Sequence, residues 1–201
     1  MKTYLSAALA LGLGLAGSTA FAQTATPPTR LRGTIEKLTG NDLVMKTRTG
    51  QEVTVKLTDS TAIAGVFQAQ LADIKPGSFI GSAAAPQPDG SLKAIEVTVF
   101  PPGMHGGEGH YAWDLTPTST MTNGTVGNLT VSNGRTMTVQ YPNGQKTIFV
   151  PTDVPIVSFE VSDRSKLVAG AHVIVTETKA ADGTVTANRV QVGENGVIPP
   201  S

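Results

Sequence analysis

Residues 89–97 read Asp-Gly-Ser-Leu-Lys-Ala-Ile-Glu-Val, and residues 182–190 read Asp-Gly-Thr-Val-Thr-Ala-Asn-Arg-Val. In both stretches an Asp-Gly pair leads into a segment that ends in Ala-x-x-Val. Asp-Gly pairs readily adopt the positive φ angles that tight hairpin turns require. Each stretch therefore predicts a hairpin turn followed by a strand. The recurrence of one pattern in a single chain indicates an internal repeat.

Other short glycine-containing motifs recur in the same order in the two copies. The first copy carries Gly33-Thr34-Ile35, Gly50-Gln51 and Lys75-Pro76-Gly77, and the second carries Gly124-Thr125-Val126, Gly144-Gln145 and Val168-Ala169-Gly170. Gly77 and Gly90 are 13 residues apart, and Gly170 and Gly183 are also 13 residues apart. We therefore expect two copies of one folding unit, at residues 30–99 and 123–193.

Between these glycine-containing motifs, apolar and polar residues alternate with a period of two. This holds for Val53, Val55 and Leu57 against Glu52, Thr54 and Lys56, for Ile95, Val97 and Val99 against Glu96 and Thr98, and for Met137, Val139 and Tyr141 against Thr136, Thr138 and Gln140. Such alternation predicts strands with one buried face. Only residues 67–74 and 162–168 indicate short helices. Five strands with one short helix between the third and fourth predict an all-β chain of two tandem small five-stranded OB-like Greek-key barrels.

The repeat resembles a bacterial envelope family of unknown function whose OB-like domains often occur in tandem. The resemblance rests on the Gly-x-Ile/Val start, the Pro/Ala-Gly before a strand, and the Asp-Gly-Ser/Thr that precedes Ala-x-x-Val. It covers residues 30–99 and, more weakly, 123–192. Members are sometimes labelled as parts of metal-transport systems. The resemblance implies a fold, and it implies no activity.

The first residues predict export. Lys2 precedes an apolar run from Ala7 to Leu15 and then Ala20-Phe21-Ala22, which is the three-part pattern of a signal peptide. We expect a leader at 1–22 that is cleaved near Ala22, and a periplasmic or secreted mature protein without a membrane span. We expect short disordered tails at 23–29 and 194–201, because they are small, polar or proline-bearing.

Charge and cysteine content argue against several function classes. The chain has 15 Lys and Arg, 15 Asp and Glu, and no Cys. Interspersed, nearly balanced charges give no footprint for nucleic acid. Without Cys, the chain cannot form disulfides, thiolate metal sites or thiol nucleophiles. The motifs of serine hydrolases, dinucleotide-binding folds and phosphate loops are also missing from the sequence. We therefore expect a non-enzymatic protein.

The linker at residues 100–122 carries the most concentrated chemistry. From 101 to 114 it reads Pro-Pro-Gly-Met-His-Gly-Gly-Glu-Gly-His-Tyr-Ala-Trp-Asp, and so many glycines predict a loop. The candidate metal ligands are His105, Glu108, His110 and Asp114, a nitrogen and oxygen set that suits a divalent transition metal such as zinc, copper or nickel. Their spacing matches no established metal motif. Tyr111 and Trp113 are candidates for an interface.

Several interpretations of this linker stay open. In the first, it is a structural connector, in which Trp113 fills the seam between the barrels and the histidines are solvated. In the second, it is a zinc or copper site. In the third, Glu108 and the histidines are catalytic. His172 replaces Phe79 of the first copy, and we expect it to be a packed ring. The functional hypotheses are an envelope binding or interaction module, whose partner is an envelope protein or a small ligand, and a periplasmic metal-binding or metal-delivery protein.

Overall fold

The computed structural model describes residues 29–130 and 135–200, with only the backbone at 128–130. The predicted leader, most of the predicted N-terminal tail and the Asn-Gly pair at 133–134 lie outside the described residues. Across the described ranges, no helix has both the length and the apolar character needed to cross a membrane.

The described chain is all-β, as predicted. Its strands are β1 (Thr29–Thr39), β2 (Asp42–Thr47), β3 (Glu52–Lys56), β4 (Ala62–Gln68), β5 (Phe79–Pro86), β6 (Leu92–Val99), β7 (Gly109–Ala112), β8 (Thr120–Thr130), β9 (Thr136–Tyr141), β10 (Gly144–Phe149), β11 (Ile156–Val161), β12 (His172–Lys179) and β13 (Val185–Gly193). The predicted helices shrink to two single-turn 3-10 helices, Leu71–Asp73 and Arg164–Lys166.

Each closed barrel is assembled from strands of both repeats. Barrel A is the five-stranded circuit β1-β2-β3-β13-β12, which β12 closes by pairing with β1. Barrel B is the circuit β8-β9-β10-β6-β5, which β5 closes by pairing with β8. We expected one barrel from residues 30–99 and another from 123–193. Instead, the first three strands of each repeat are closed by the last two strands of the other.

Strands β4 and β11 account for this exchange. They were not predicted as strands, and each lies between the third barrel strand of its repeat and the 3-10 helix. β4 pairs in parallel with β13 and antiparallel with β11, and β11 pairs in parallel with β6. Each of these extended segments therefore lies at the seam between the barrels, and the strands that follow it enter the opposite barrel.

The buried side chains confirm the exchange. One cluster fills barrel A and combines Ile35, Leu43, Met45 and Val55 of the first repeat with Val173, Val175 and Val190 of the second. A second cluster fills barrel B and combines Ile80 and Val97 of the first repeat with Val126, Met137, Val139 and Ile148 of the second. A third cluster, Ala64, Val66, Val157 and Phe159, forms the seam between β4 and β11. Burying these side chains is the main favourable contribution to folding.

Two of the recurring glycines are explained by close strand packing. A Cβ atom on Gly33 would lie 2.1 Å from the carbonyl oxygen of Lys46, and one on Gly124 would lie 2.1 Å from that of Gln140. Only glycine fits at these positions. The turn glycines Gly90 and Gly183 have φ angles of 83° and 88°, which confirms the predicted Asp-Gly turns.

The predicted alternation breaks at Ile95. In the β5–β6 pair, Ala83 lies opposite Glu96 and Ala84 lies opposite Ala94, so Ile95 has no partner and is the extra residue of a β-bulge. Ala94 before the bulge and Val97 and Val99 after it belong to the core of barrel B. Glu96, which was expected on a solvent-exposed face, is only 1% exposed.

Residues 194–200, which we expected to be part of a disordered tail, contact the seam and barrel A. The Glu194 amide donates to the carbonyl of Val66 over 2.8 Å, and the Lys166 ammonium donates to the Glu194 carboxylate over 2.9 Å. Arg48 donates to the carbonyl of Pro199, which is buried. These contacts hold the segment against β4.

Candidate functional site

The linker adds a strand to barrel B and then reaches barrel A. Strand β7 pairs antiparallel with β8, from Gly109 opposite Asn123 to Ala112 opposite Thr120. This part of the linker is therefore a strand and not the loop that its glycines predicted. The chain after β7 places the side chains of Trp113 and Asp114 beside β1.

Asp114 and Trp113 form a clasp on two arginines of β1. The Asp114 carboxylate accepts two hydrogen bonds from the Arg32 guanidinium, over 2.8 and 3.1 Å, and lies 3.9 Å from that of Arg30. The Arg30 guanidinium lies 3.9 Å from the centre of the Trp113 ring. Bidentate ion pairs and cation–π contacts of this kind fix both partners in orientation. The clasp therefore joins the linker to barrel A.

Asp114 stays ionised in this setting. Partial burial acts to raise its pKa, but the hydrogen bond from Arg32 and the charges of Arg32 and Arg30 outweigh burial and lower the pKa below the ordinary value of 3.8. The carboxylate therefore neutralises one of the two neighbouring guanidinium groups at neutral pH.

Tyr111, the other predicted interface residue, is bonded within the linker and barrel B. The Asn123 amide donates to the Tyr111 hydroxyl over 2.8 Å and to the carbonyl of Gly107 over 2.9 Å. Burial raises the pKa of Tyr111, and the charge of Arg30 and the Asn123 hydrogen bond oppose that rise. Tyr111 and Asn123 thus hold the glycine-rich segment against β8.

The four predicted metal ligands point to different partners. The His105 ring packs on Phe79 with 4.4 Å between ring centres, His110 Nδ1 lies 2.9 Å from the Thr122 hydroxyl, Asp114 binds Arg32, and Glu108 is exposed. Among the residues that the structure describes, no three His, Asp or Glu side chains are grouped to hold a metal ion. Metal binding by the linker stays a prediction. In this structure it would require His105 to leave Phe79 and Asp114 to leave Arg32.

His110 and His172 both lie beside hydroxyl groups. Burial lowers the pKa of His110, and the nearby charge of Lys146 lowers it further, so the imidazole is neutral at pH 7. His172 Nδ1 lies 3.2 Å from the Thr34 hydroxyl, and the ring is half-buried on β12. Both imidazoles are thus engaged locally, in keeping with the expectation of a packed ring at His172.

A cleft of about 180 Å³ opens beside the clasp, between the barrels. We call it the seam cleft. Barrel A contributes its arginines Arg30 and Arg189 and also Thr176, barrel B contributes Met121, the linker contributes Trp113, and β11 contributes Phe159. Residues from both repeats and from the linker thus meet at one small site.

Arg30, Thr176 and Arg189 form a row across three adjacent strands. Arg30 lies opposite Thr176 in the β1–β12 pair, and Thr176 lies opposite Arg189 in the β12–β13 pair. The next residues along these strands, including Val175 and Val190, face the interior of barrel A, so the row faces outward. Neighbouring strands are about 5 Å apart, which separates the backbones of the two arginines by about 10 Å.

Among the described residues, Arg189 has an aromatic neighbour and no ion-pair partner. Its guanidinium lies 5.4 Å from the centre of the Phe159 ring, and burial lowers its pKa without removing its charge. No carboxylate of residues 29–130 or 135–200 forms an ion pair with it. Arg30 and Arg32, by contrast, share Asp114. Arg189 is therefore an exposed cation on β13 that is open to an anion.

A larger groove of about 660 Å³ lies elsewhere, at the C-terminal segment and Leu71. Among the described residues that line it, the one cationic side chain is Arg135, which already donates to the carbonyls of Val150 and Pro151. The larger groove therefore has no described guanidinium free for a ligand, and we take the seam cleft as the candidate site.

Comparison of the chain with protein-family models, with curated proteins and with solved structures finds no match. The resemblance to an envelope family stays a prediction. The function is therefore argued from the geometry of the seam cleft.

The sequence did not indicate Arg30, Thr176 and Arg189 as site residues. Thr176 and Arg189 face each other in one hairpin, and Arg30 joins them only because β12 and β13 complete the barrel that β1 begins. The signal that could have identified Arg189 is the comparison of the two copies, because Arg189 stands where the first copy has Glu96.

Proposed function

We propose that this chain is a non-enzymatic binding module of the bacterial envelope and that its ligand occupies the seam cleft. The observation that carries the proposal is Arg189. Its guanidinium is exposed and can be reached by a ligand, and no carboxylate of residues 29–130 or 135–200 forms an ion pair with it. The face of the Phe159 ring lies beside the guanidinium and holds it at the cleft. An anionic ligand would supply an ion-pair partner.

The side chains of the cleft are suited to holding a ligand. The two guanidinium groups keep their protons far above neutral pH and act as permanent charges and donors. The hydroxyl and amide groups of Thr98, Asn123, Thr176 and Gln191 donate and accept hydrogen bonds. The aromatic and thioether groups supply apolar contact. This mixture of apolar surface with a few placed polar groups is typical of binding sites for small ligands.

The site is also held in place before a ligand arrives. Arg30, Thr176 and Arg189 lie on barrel strands, and the clasp orients both Arg30 and Trp113. Sites on strands supported by a second layer of contacts are more precise than sites on free loops. The strand positions and the clasp contacts therefore support a cleft that is already formed before a ligand binds. The assignment to the envelope follows from the leader pattern at 1–22.

The proposal is tested by thermal unfolding of the mature protein against a panel of small organic anions and their neutral analogues. A ligand that binds only the folded state raises Tm, and above Kd the stabilisation grows with the logarithm of the ligand concentration. We expect a set of anions to raise Tm and the Arg189→Gln variant to lose that response.

Lys179→Gln is the matched control, because it removes one positive charge from an exposed position on β12 away from the cleft. It should respond like the unmodified protein. The proposal fails if no compound raises Tm, or if Arg189→Gln responds as strongly as Lys179→Gln.

A further inference from the structure

We infer that the seam cleft binds one hexuronate ring, a six-membered sugar ring that bears a carboxylate; this inference rests on the proposed function. Charge gives the first argument. The described residues lining the cleft include Arg30 and Arg189 and no carboxylate. Asp114 beside the cleft is shared by Arg32 and Arg30, whereas Arg189 forms no ion pair with a described carboxylate. A ligand with one carboxylate can therefore pair with Arg189.

Size gives the second argument. Pockets for drug-sized ligands occupy roughly 300–1,000 Å³. The seam cleft holds about 180 Å³, which suits a single ring with its substituents. A carboxylate at one end of such a ring can accept two parallel hydrogen bonds from the Arg189 guanidinium.

The uncharged polar side chains of the cleft favour a sugar acid over an aromatic acid as the ligand. Thr98, Thr176 and Gln191 line the cleft, and none of these three side chains forms a hydrogen bond with another described residue. An aromatic carboxylate would cover them without offering partners, and a buried polar group without a partner costs free energy. A ring that carries several hydroxyl groups can satisfy all three.

The apolar walls suit the C–H faces of a sugar ring. Phe159 and Phe100 meet edge to face with 5.1 Å between ring centres, and Phe100, Trp113 and Met121 also line the cleft. A pyranose ring presents its C–H groups on its two faces and its hydroxyls around its edge. It can therefore pack on the rings while its edge meets Thr98, Thr176 and Gln191.

Trp113 is the only tryptophan of the chain, so its fluorescence reports on this site in the intact mature protein. We would titrate galacturonate, glucuronate and tri-galacturonate, with glucose as the neutral ring and benzoate as the aromatic anion. We expect saturable changes with the uronates, and affinities lower by about tenfold or more for glucose and benzoate, because each lacks one set of partners.

Two variants and one control separate the contributions. Arg189→Gln should weaken uronate binding about tenfold to a hundredfold, since it removes a hydrogen bond to a charged group. Gln191→Leu should weaken uronate binding severalfold and leave benzoate unaffected. Lys179→Gln should change neither. Equal affinity for monomer and trimer indicates a free sugar as the natural ligand, whereas tighter binding of the trimer indicates a polysaccharide unit.

Two results would overturn the inference in different ways. If benzoate binds at least as tightly as both uronates, the ligand class is wrong and the binding function stands. If no compound changes Trp113 fluorescence and none raises Tm in the wider anion panel, the inference and the proposed function fail together.

Discussion

Val66 of β4 and Phe159 of β11 lie directly opposite each other where the two strands pair antiparallel. They are also equivalent positions of the repeat, because Phe159 follows Val66 by 93 residues and Gly170 follows Gly77 by the same number. An antiparallel pair in which equivalent residues face each other has an approximate two-fold axis between them. The exchange of strands between the barrels is therefore reciprocal about this point.

The exchange predicts that cutting the linker does not separate the two halves. A protease site inserted between Gly106 and Gly107 would give two fragments, each with three strands of one barrel and two of the other. We expect the cut protein to elute as one species in size-exclusion chromatography and to separate only in denaturant. Elution of two folded fragments without denaturant would contradict the strand pairing.

The close approach of strands at Gly33 predicts a strong effect of one methyl group. Gly33→Ala and Gly124→Ala each place a Cβ against a backbone carbonyl, and we expect each to lower the free energy of unfolding by about 3 kcal/mol. Urea unfolding of the mature protein measures this loss. Gly106→Ala is the control, since its Cβ would lie 3.6 Å from the Phe100 ring at an ordinary contact distance. Equal stability of all three variants would refute the packing argument.

The clasp predicts a pH-dependent contribution of Asp114. Because its folded pKa lies below the ordinary 3.8, its stabilising effect is complete above that value and disappears as the pH falls through the folded pKa. We expect Asp114→Asn to cost about 1 kcal/mol at pH 7, a modest figure because water screens a side chain that is 42% exposed. The difference should shrink below about pH 4.

Urea midpoints from pH 7 down to pH 3 check this expectation. Glu108→Gln, an exposed position of the same linker, serves as the control and should match the unmodified protein at every pH. A cost of Asp114→Asn that stays constant over the whole range would show that the ion pair is not its cause.

The C-terminal segment predicts that truncation after Gly193 is costly. Removing residues 194–201 deletes the backbone bond to Val66 and exposes the surface that Pro199 covers. We expect a loss of about 1–2 kcal/mol in the free energy of unfolding. Glu194→Gln keeps the segment and should lose only a small part of that amount. Unchanged stability after truncation would mean that the segment contributes nothing.

The sequence predicted the features that depend on local chemistry. Positive φ angles at Gly90 and Gly183 follow from the Asp-Gly pairs, and the burial of Val55 and Val139 follows from the period of two. The choice of partner strand is not local. Both repeats carry the same apolar pattern, so β5 and β12 fit either barrel equally well by pattern alone. The exchange is determined by β4 and β11, whose extended form the short apolar runs did not reveal.

The candidate site was only partly predictable, because it too depends on which strands become partners. One interpretation of the linker brings four ligand side chains together, because glycine-rich segments adopt many conformations. In the structure, pairing of β7 with β8 and the ion pair with Arg32 direct His110 and Asp114 to separate partners. Trp113 at the seam was predictable from its position between the repeats. The pairing of Arg189 with Arg30 in one cleft was not, because β1 lies at the other end of the described chain and meets β12 only when barrel A closes.

Barrel A begins with β1 and is completed only by β13, which ends at Gly193. Barrel B likewise needs β10 before it can close. Strand β1 pairs with its neighbour β2 within a local hairpin, but its other partner, β12, comes from the opposite end of the described chain. Contacts between such distant parts of a chain form slowly. We therefore expect closure of barrel A to be the slow step when the denatured protein refolds, later than the formation of the hairpins that compose it.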